Sequence, residues 1–478
     1  MRSKVRRTTT RVPEFRVPKD FDLEKHFPEG DRDFAAYVLN LLHGHAVTRR
    51  DGSFKRLNRK LLVKYVPERH LTPMLRKVEK LGVIEVDHYF EKGVRSKGFR
   101  LTPAYYASRG VVCGNRQLAR KIQERKDERE ARILPVHERL RAHFRRLKFD
   151  RSRAEEIIAT QRPQARSRHT NDEYRTLLRE VCARVERAVH GNLVVDRFGR
   201  VHSVVTNLPK ILRPCLSVGG KQLVGLDIKN SQPLIVGMLA QRFSESRDAR
   251  YRMINRDFND RTTPYAVQEL KGMQRRTAEA REKRKEPNRR RNEEERERSR
   301  NPITSEVLSN MCCAGVSNPG KPDTSVEDRV RSRSVPPDLV EYLALCEAGQ
   351  LYEHLQGPGQ TRDEAKKALF KVFYGEVGGW KPLFRQLKTQ FPTVARMLKS
   401  LKRHDYAHAA RLMQSFEATL MIPIICGRLL RERPKVTVIT IHDSILTTPE
   451  HDEYVKGVIL DEFEKLGVVP PLKVERYD

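Results

Sequence analysis

Apolar residues recur at helical spacing in three segments between residues 30 and 105: DFAAYVLNLLHG, NRKLLVKYV and RHLTPMLRKVEKLG. The last segment ends at Gly82, and glycine is typical of helix ends. Two strand-like runs follow, VIEVDHYF and GFRLTP, on either side of the basic turn EKGVRSKG. The pattern predicts a small domain over residues 30–108, built from three helices and a hairpin.

From about residue 195, apolar strands and helices alternate. In KQLVGLDIKNSQPLIVGMLAQRF, an apolar run predicts a strand that ends at Asp227, and Asn230 or Ser231 can cap the helix that follows. Further on, KVTVITIHDSILTTP predicts a hairpin with Asp443 at its tip. Such an aspartate can simply stabilise the turn, which is the alternative to a functional role.

The segment TRDEAKKALFKVFYG predicts a helix with cations and aromatic rings along one face. Its opening T-x-x-E is a capping box, so the helix begins at about Arg362. Residues four apart drift by only about 40° around a helix, so Arg362, Lys366 and Phe370 share a face, with Tyr374 further round. The cations suit phosphates and the rings suit a base, although a surface helix can show the same spacing by chance.

Charge dominates the other segments. Residues 1–29 form a basic arm without the apolar stretch of a secretory signal. Residues 109–194 are rich in Arg and mostly helical by period; RQLARKIQERKDEREARILPVHERLRAHFRRL is either a long solvated helix or a segment that grips a duplex backbone. A charged insertion over about 243–335 includes residues 271–300, which hold too few apolar residues to build a core. The principal domain is predicted over residues 195–478.

Composition restricts the partners. The chain of 478 residues has a formal net charge of +33, from 95 Lys and Arg against 62 Asp and Glu. This balance favours nucleic acid, with an anionic membrane surface as the alternative. The sequence contains no run of 18 apolar residues and no wide amphipathic stripe, so we expect no membrane partner. Seven cysteines without a C-x-x-C pattern fit a reducing, cytoplasmic compartment.

With this charge, the elements of residues 30–108 match the order of a winged helix, which would bind DNA or a protein partner. In the principal domain, Asp227 and Asp443 are predicted at the ends of adjacent strands. Two carboxylates so placed suit two Mg²⁺ ions, because hard cations prefer oxygen ligands. Such a pair can activate a hydroxyl and stabilise a leaving pyrophosphate.

Five segments together resemble the family A DNA polymerases and the phage-type single-subunit RNA polymerases. R-x3-K-x7-Y-G, formed by Arg362, Lys366 and Tyr374-Gly375, matches their fingers-helix motif at every position. IHDS resembles their third palm motif, and GLDIKNSQP resembles their first. FGRVHSVVTNLP and HAARLMQSFEATLM resemble the segments that contact the primer and its template. All five occur in the order found in the family.

The resemblance implies an α+β, right-hand polymerase with palm, fingers and a thumb-like region at 109–194, preceded by the winged-helix-like domain. It implies that Asp227 and Asp443 hold two Mg²⁺ ions. Lys366 would meet the triphosphate and protonate the leaving pyrophosphate, and Arg362 would bind the γ-phosphate. This assignment agrees with the needs of phosphoryl transfer, which are metals, cations on the leaving group and rigid positioning.

The resemblance also implies which residues contact the DNA primer–template and the dNTPs. Phe370 would pack against the incoming sugar and base, and Tyr374 would lie beneath the templating position. The primer and template would meet four residues, Arg200, Asn207, Gln414 and His442.

The residues that distinguish DNA polymerases from RNA polymerases in these families point in different directions. Family A DNA polymerases carry a Glu five residues after the first Asp, which blocks a ribose 2′-OH. Here that position is Gln232, or Leu234 if the alignment is shifted to match Ser-Gln. Ser444 resembles the RNA polymerases, whereas Phe370 and the NLP segment resemble the DNA polymerases. We favour DNA synthesis, with an RNA polymerase or primase-like enzyme as the alternative.

No convincing set of exonuclease carboxylates precedes the palm motifs. The D-x-E of DLEKHF lies in a predicted loop and lacks partners, so we expect no proofreading. The compact length and the winged-helix-like module suggest a bacterial, phage or plasmid enzyme that replicates a mobile element. A non-catalytic DNA-binding protein with a decayed palm is a further alternative, disfavoured because both aspartates and both cations of the motifs are intact.

Overall fold

The computed structural model describes residues 12–91, 96–164, 167–188, 193–245, 335–376, 381–403 and 405–477. Most of the predicted charged insertion, the start of the basic arm and the centre of the turn after Phe90 lie outside the described residues. Within these ranges the fold is α+β, with many helices and several small sheets, the largest of four strands.

The helices before residue 246 are α1 (Leu23–His26), α2 (Glu29–Arg49), α3 (Arg59–Leu62), α4 (Glu68–Lys80), α5 (Arg116–Glu130), α6 (Pro135–Phe144), α7 (Arg151–Thr160), α8 (Asn171–Ala188) and α9 (Ser231–Glu245). The later helices are α10 (Pro337–Glu347), α11 (Leu351–His354), α12 (Arg362–Tyr374), α13 (Lys381–Gln390), α14 (Pro392–Leu401), α15 (His408–Thr419), α16 (Gly427–Glu432) and α17 (Asp452–Glu464). A π-helix, Leu420–Cys426, joins α15 to α16.

The strands are β1 (Glu14–Pro18), β2 (Lys55–Arg56), β3 (Ile84–Asp87), β4 (Gly98–Leu101), β5 (Ser108–Val112), β6 (Leu147–Phe149), β7 (Val194–Val195), β8 (Val201–His202), β9 (Leu216–Val218), β10 (Lys221–Gln222), β11 (Val224–Ile228), β12 (Ile439–Ile441), β13 (Ser444–Thr447) and β14 (Leu472–Arg476).

The chain folds as two compact units. Unit 1 comprises Met1–Ala131, Arg145–Asn192 and Ser203–Gly220. Unit 2 comprises Arg132–Phe144, Leu193–His202 and Lys221–Asp478. The region predicted as thumb-like, residues 109–194, therefore contributes to both units.

Unit 1 contains α2, α3 and α4 and the antiparallel sheet β2-β4-β3, which confirms the predicted order of three helices and a hairpin. The hairpin strands pair from Ile84 opposite Leu101 to Asp87 opposite Gly98. Helix α3 is shorter than the NRKLLVKYV pattern predicts, and ends at Leu62.

Two other predictions about helices are corrected. The charged segment that begins RQLARKIQ is not one long helix, because α5 ends at Glu130 and α6 begins at Pro135. Proline lacks the N–H that a helix interior needs but suits the first turn. The predicted loop DLEKHF forms α1, and Asp22 caps it by accepting hydrogen bonds from the N–H groups of Glu24 and Lys25.

Unit 2 is built on an antiparallel sheet in the order β12-β13-β11-β14. Strands β11, β12 and β13 are largely buried, and Leu226 and Ile445 have no exposed surface, whereas the edge strand β14 is charged and partly exposed. Helix α9 follows β11 directly and packs against α10, α14 and α15. Among the described residues, no helix has both the length and the apolar character needed to cross a bilayer.

Helix α12 begins where the capping box predicts. The Thr361 hydroxyl accepts from the backbone N–H of Glu364, and the Glu364 carboxylate accepts from the backbone N–H of Thr361. One face of the helix is buried and packs into the core of unit 2, through Ala365, Leu369, Val372 and Phe373. The cap and this face together fix the helix that carries the predicted cations.

We predict that Leu369→Ala lowers the free energy of unfolding of unit 2 by about 3 kcal/mol, because it leaves a cavity beneath α12. Leu369 has no exposed surface, whereas Lys367 on the same helix is exposed and gives the matched control, Lys367→Ala. Chemical denaturation followed by circular dichroism measures both. An unchanged midpoint for Leu369→Ala would show that this face does not anchor the helix.

Candidate active site

The sheet of unit 2 brings the two predicted carboxylates together. In the pairing of β11 with β13, Asp227 lies opposite Ser444. Asp443 immediately precedes Ser444, in the two-residue turn between β12 and β13. The backbone N–H of Ile228 donates to the carbonyl oxygen of Asp443 at 3.4 Å. Both aspartates therefore stand at the same end of neighbouring strands.

The surroundings of Asp443 disfavour its charged form. Burial, and after it the negative charges of Glu417 and Asp227, raise the pKa of Asp443 to about 7. A hydrogen bond from the Ser231 hydroxyl acts in the opposite direction but does not cancel these effects. A carboxyl group with this pKa is about half protonated at neutral pH, unless a cation stabilises its charge.

The donor set suits an open magnesium site. Asp227 and Asp443 are the residues that could hold the ions. Among the described residues, no group of three or more His, Cys, Asp or Glu side chains is arranged to enclose a metal. Mg²⁺ commonly binds through one or two carboxylates and completes its shell with water and substrate phosphate, so a pair of carboxylates fits it.

Four predicted side chains meet around the phenol of Tyr374. Its hydroxyl donates to Oε1 of Gln232 at 2.9 Å, and it also hydrogen-bonds with Arg200 and Gln414. Burial raises the pKa of this phenol, which stays neutral. Leu234, in contrast, has no exposed surface and lies in the core. Of the two positions that the sequence left open, Gln232 is the one whose side chain reaches α12.

Arg200 forms an ion pair that the sequence did not predict. Its guanidinium pairs with Glu417 of α15, which is only 4% exposed. The β7–β8 hairpin presents Arg200, and Asp196 fixes its turn by accepting from the N–H groups of Phe198 and Arg200 at 2.8 and 3.1 Å. Arg200 therefore supplies a counter-charge to Glu417, whose negative charge raises the pKa of Asp443.

Aromatic rings contact the cations of the stripe on α12, which is formed by Arg362, Lys366, Phe370 and Tyr374. The guanidinium carbon of Arg362 lies 5.1 Å from the ring centroid of Tyr352, and Arg362 also forms an ion pair with Glu353. The ammonium of Lys366 lies 5.7 Å from the Tyr352 centroid and 5.9 Å from that of Phe370. These contacts hold two cations side by side on one face, as phosphate binding requires.

Aromatic rings continue the stripe beyond the cations. Phe370 stacks on Tyr374 with centroids 5.7 Å apart and planes within 1° of parallel. Tyr352 also interacts electrostatically with Asp443. Burial raises the pKa of Tyr352, and Cys346 and the charge of Asp443 raise it by smaller amounts. Sequence reasoning missed Tyr352, because nothing in its local pattern marks a ring that supports cations from another helix.

The two remaining predicted residues differ in position. His442 occupies the hairpin turn with φ of 54°, and its exposed ring meets that of His202 edge-on at 5.7 Å. Asn207 belongs to unit 1, where its carbonyl oxygen accepts from Arg50 at 3.4 Å. The structure thus gathers ten of the eleven predicted residues in unit 2, and leaves Asn207 outside it.

Comparison with known proteins adds no identification. No protein-family model matches the chain, and no curated protein matches it significantly.

We predict that the contribution of Asp443 to the stability of the metal-free protein falls as the pH rises from about 4 to about 7. In that window the folded protein holds a proton on Asp443 that the unfolded chain has released, so folding is disfavoured by a rise in pH. Asp443→Asn removes this cost and should be more stable than the parent by on the order of 2 kcal/mol at about pH 8, with no gain at about pH 4.

Thermal denaturation in a chelator measures the effect. Asp172→Asn, at a side chain that is 94% exposed, is the control. A parent protein at least as stable as Asp443→Asn at the higher pH would contradict the electrostatic account.

Proposed function

We propose that the protein is a template-directed nucleotidyltransferase, a DNA-directed DNA polymerase that extends a primer 3′-hydroxyl without proofreading. The observation that carries the proposal is the pair of aspartates at one end of β11 and β13, where burial and then the negative charges of Glu417 and Asp227 raise the pKa of Asp443. Two neighbouring carboxylates suit divalent cations, which would stabilise the charged form of Asp443.

Asp227 and Asp443 would hold two Mg²⁺ ions. When bound, these would activate the primer hydroxyl and stabilise charge on the pyrophosphate. In the reaction, the 3′-oxygen forms a bond to the α-phosphorus of the dNTP, and the bond to pyrophosphate breaks. Lys366 would deliver a proton to that leaving group, and Arg362 would hold the γ-phosphate. The side-by-side order of these cations over Tyr352 supports the assignment.

The stacked rings would position the base pair. Phe370 would pack on the incoming sugar and base, and Tyr374 would support the templating position. Gln414, Arg200 and His442 would contact the primer end. The network around the Tyr374 phenol supports this assignment, because hydrogen bonds from three other segments give its ring one fixed position.

In this proposal the sheet of unit 2 is the palm and α12 is the helix of the fingers. Residues 109–194 act as a thumb, and residues 30–108 form a winged-helix module that binds DNA or a protein. An RNA polymerase or primase on the same scaffold is the second candidate. It is favoured by Ser444, which is 3% exposed beside the aspartates where a DNA polymerase would carry a Glu.

Primer extension on a DNA template with Mg²⁺ tests the proposal. We expect incorporation of dNTPs in preference to NTPs, and a loss of at least about a thousandfold in Asp227→Asn and in Asp443→Asn, because each removes a metal ligand. Asp172→Asn should retain full activity. A preference for NTPs would support the second candidate, an RNA polymerase or primase. No incorporation on primed or unprimed DNA or RNA, with duplex binding intact, would leave a non-catalytic DNA-binding protein.

Gln232 gives a separate prediction about the sugar. Its carboxamide is held beside α12 by Tyr374, and the resemblance would make it the side chain that crowds a ribose 2′-hydroxyl. We expect Gln232→Ala to lower the preference for dNTPs over NTPs by about tenfold or more, since a 2′-hydroxyl would then fit. Competing dNTP and NTP incorporation measures the ratio of kcat/KM values. An unchanged ratio would assign sugar discrimination to another residue.

A further inference from the structure

A buried ammonium from another helix holds the C-terminal end of α12. Lys402 follows the last residue of α14 and is only 7% exposed. Its Nζ donates to the carbonyl oxygens of Val372 and of Gly375, the latter at 2.6 Å. Carbonyl groups in the last turn of a helix lack partners within the helix and carry its partial negative charge. Lys402 therefore supplies both the missing donors and a complementary charge.

Burial of this ammonium costs free energy of hydration. Burial lowers the pKa of Lys402 to about 8, from an ordinary value of 10.5. Burial is the sole cause among the described residues: no titratable group of the neighbouring helices contributes, neither Lys371, Tyr374 nor Glu376 at the end of α12, nor Lys399 and Arg403 beside it, nor His408 on α15. The two carbonyl oxygens favour the charged form but do not fully compensate for the lost hydration.

The two carbonyls that Lys402 binds stand on either side of Tyr374 in the chain. Val372 precedes it by two residues, and Gly375 follows it. The ring of Tyr374 stacks on Phe370, and its hydroxyl donates to Gln232. Helix α12 ends at this tyrosine, and terminal turns fray when their carbonyls lack partners. The ammonium thus fixes the backbone turn from which the ring is presented.

We propose that Lys402 is a positioning residue for nucleotide insertion, which holds the last turn of α12 so that Tyr374 and Phe370 keep their place. This inference rests on the proposed function. Lys402 touches neither substrate nor metal ligand in this account, and acts through the backbone of α12.

As the pH rises and Lys402 loses its proton, we expect the contribution of this residue to stability to rise and the activity to fall. Because the pKa is lowered on folding, the charged ammonium opposes folding, and stability rises with pH between about 8 and 10.5. Activity should fall over the same window, because the neutral amine binds the carbonyls less strongly. A residue with a purely structural role would make the two fall together.

Lys402→Met removes the charge and keeps an unbranched side chain that is one atom shorter. Lys399→Met, at an exposed lysine one turn earlier in α14, is the matched control. For each protein we would measure kcat and KM for dNTP incorporation from about pH 6.5 to about pH 9.5, and the thermal midpoint. Hydrogen exchange of the peptide containing Val372–Gly375 provides a readout that is independent of activity.

We expect Lys402→Met to lower kcat/KM by about tenfold at pH 7. Its thermal midpoint should change little, because relief of the buried charge offsets the cost of two carbonyls left without a donor. The ratio of parent to variant activity should fall toward one above about pH 9. Exchange in the last turn of α12 should be faster in this variant alone. Equal exchange in parent and variant, or a constant activity ratio across pH, would overturn the proposal.

The two proposals can fail separately. If the parent incorporates no nucleotide but the last turn of α12 exchanges faster in Lys402→Met, the polymerase assignment fails while the anchor stands. If the parent is active and Lys402→Met matches it at every pH, the polymerase assignment stands and the role of Lys402 is refuted.

Discussion

Two carboxylates held close together at the end of a buried sheet are the constraint on which the rest of unit 2 depends. The antiparallel register that sets Asp227 opposite Ser444 leaves no freedom to separate Asp227 from Asp443. Their repulsion, with burial, raises the pKa of Asp443 to about 7. A fold that keeps such a pair gives up stability in the metal-free protein, and two divalent cations would recover it.

Charged and aromatic side chains surround the two aspartates. Arg200 pairs with Glu417 and so supplies a counter-charge to a carboxylate that raises the pKa of Asp443. On α12, two cations lie over Tyr352, whose own pKa responds to the charge of Asp443. Tyr352 thus interacts both with the cations of α12 and with Asp443. The phenol of Tyr374 joins three further segments to it, and Lys402 fixes the turn that carries Tyr374.

The parts that could be predicted from the sequence are those whose physical cause is local. The T-x-x-E cap sets the start of α12, and a β-branched run with a two-residue turn gives the β12–β13 hairpin, because neighbours in the chain determine both. Contacts between side chains far apart in the chain could not be predicted, because no local sequence pattern indicates them. Arg200 and Glu417 are 217 residues apart, and a glutamate within an apolar helix gives no indication of its partner. The choice between Gln232 and Leu234 likewise needed the fold, since only packing shows which side chain reaches α12.

The most direct test of the central claim is to locate divalent ions in crystals grown with Mn²⁺, a DNA primer–template and a non-hydrolysable dNTP. Anomalous scattering identifies Mn²⁺ without reference to the protein. We predict Mn²⁺ bound by the carboxylates of Asp227 and Asp443, with the triphosphate between them and the cations of Arg362 and Lys366. A nucleotide bound elsewhere, or no manganese at these two aspartates, would contradict the account.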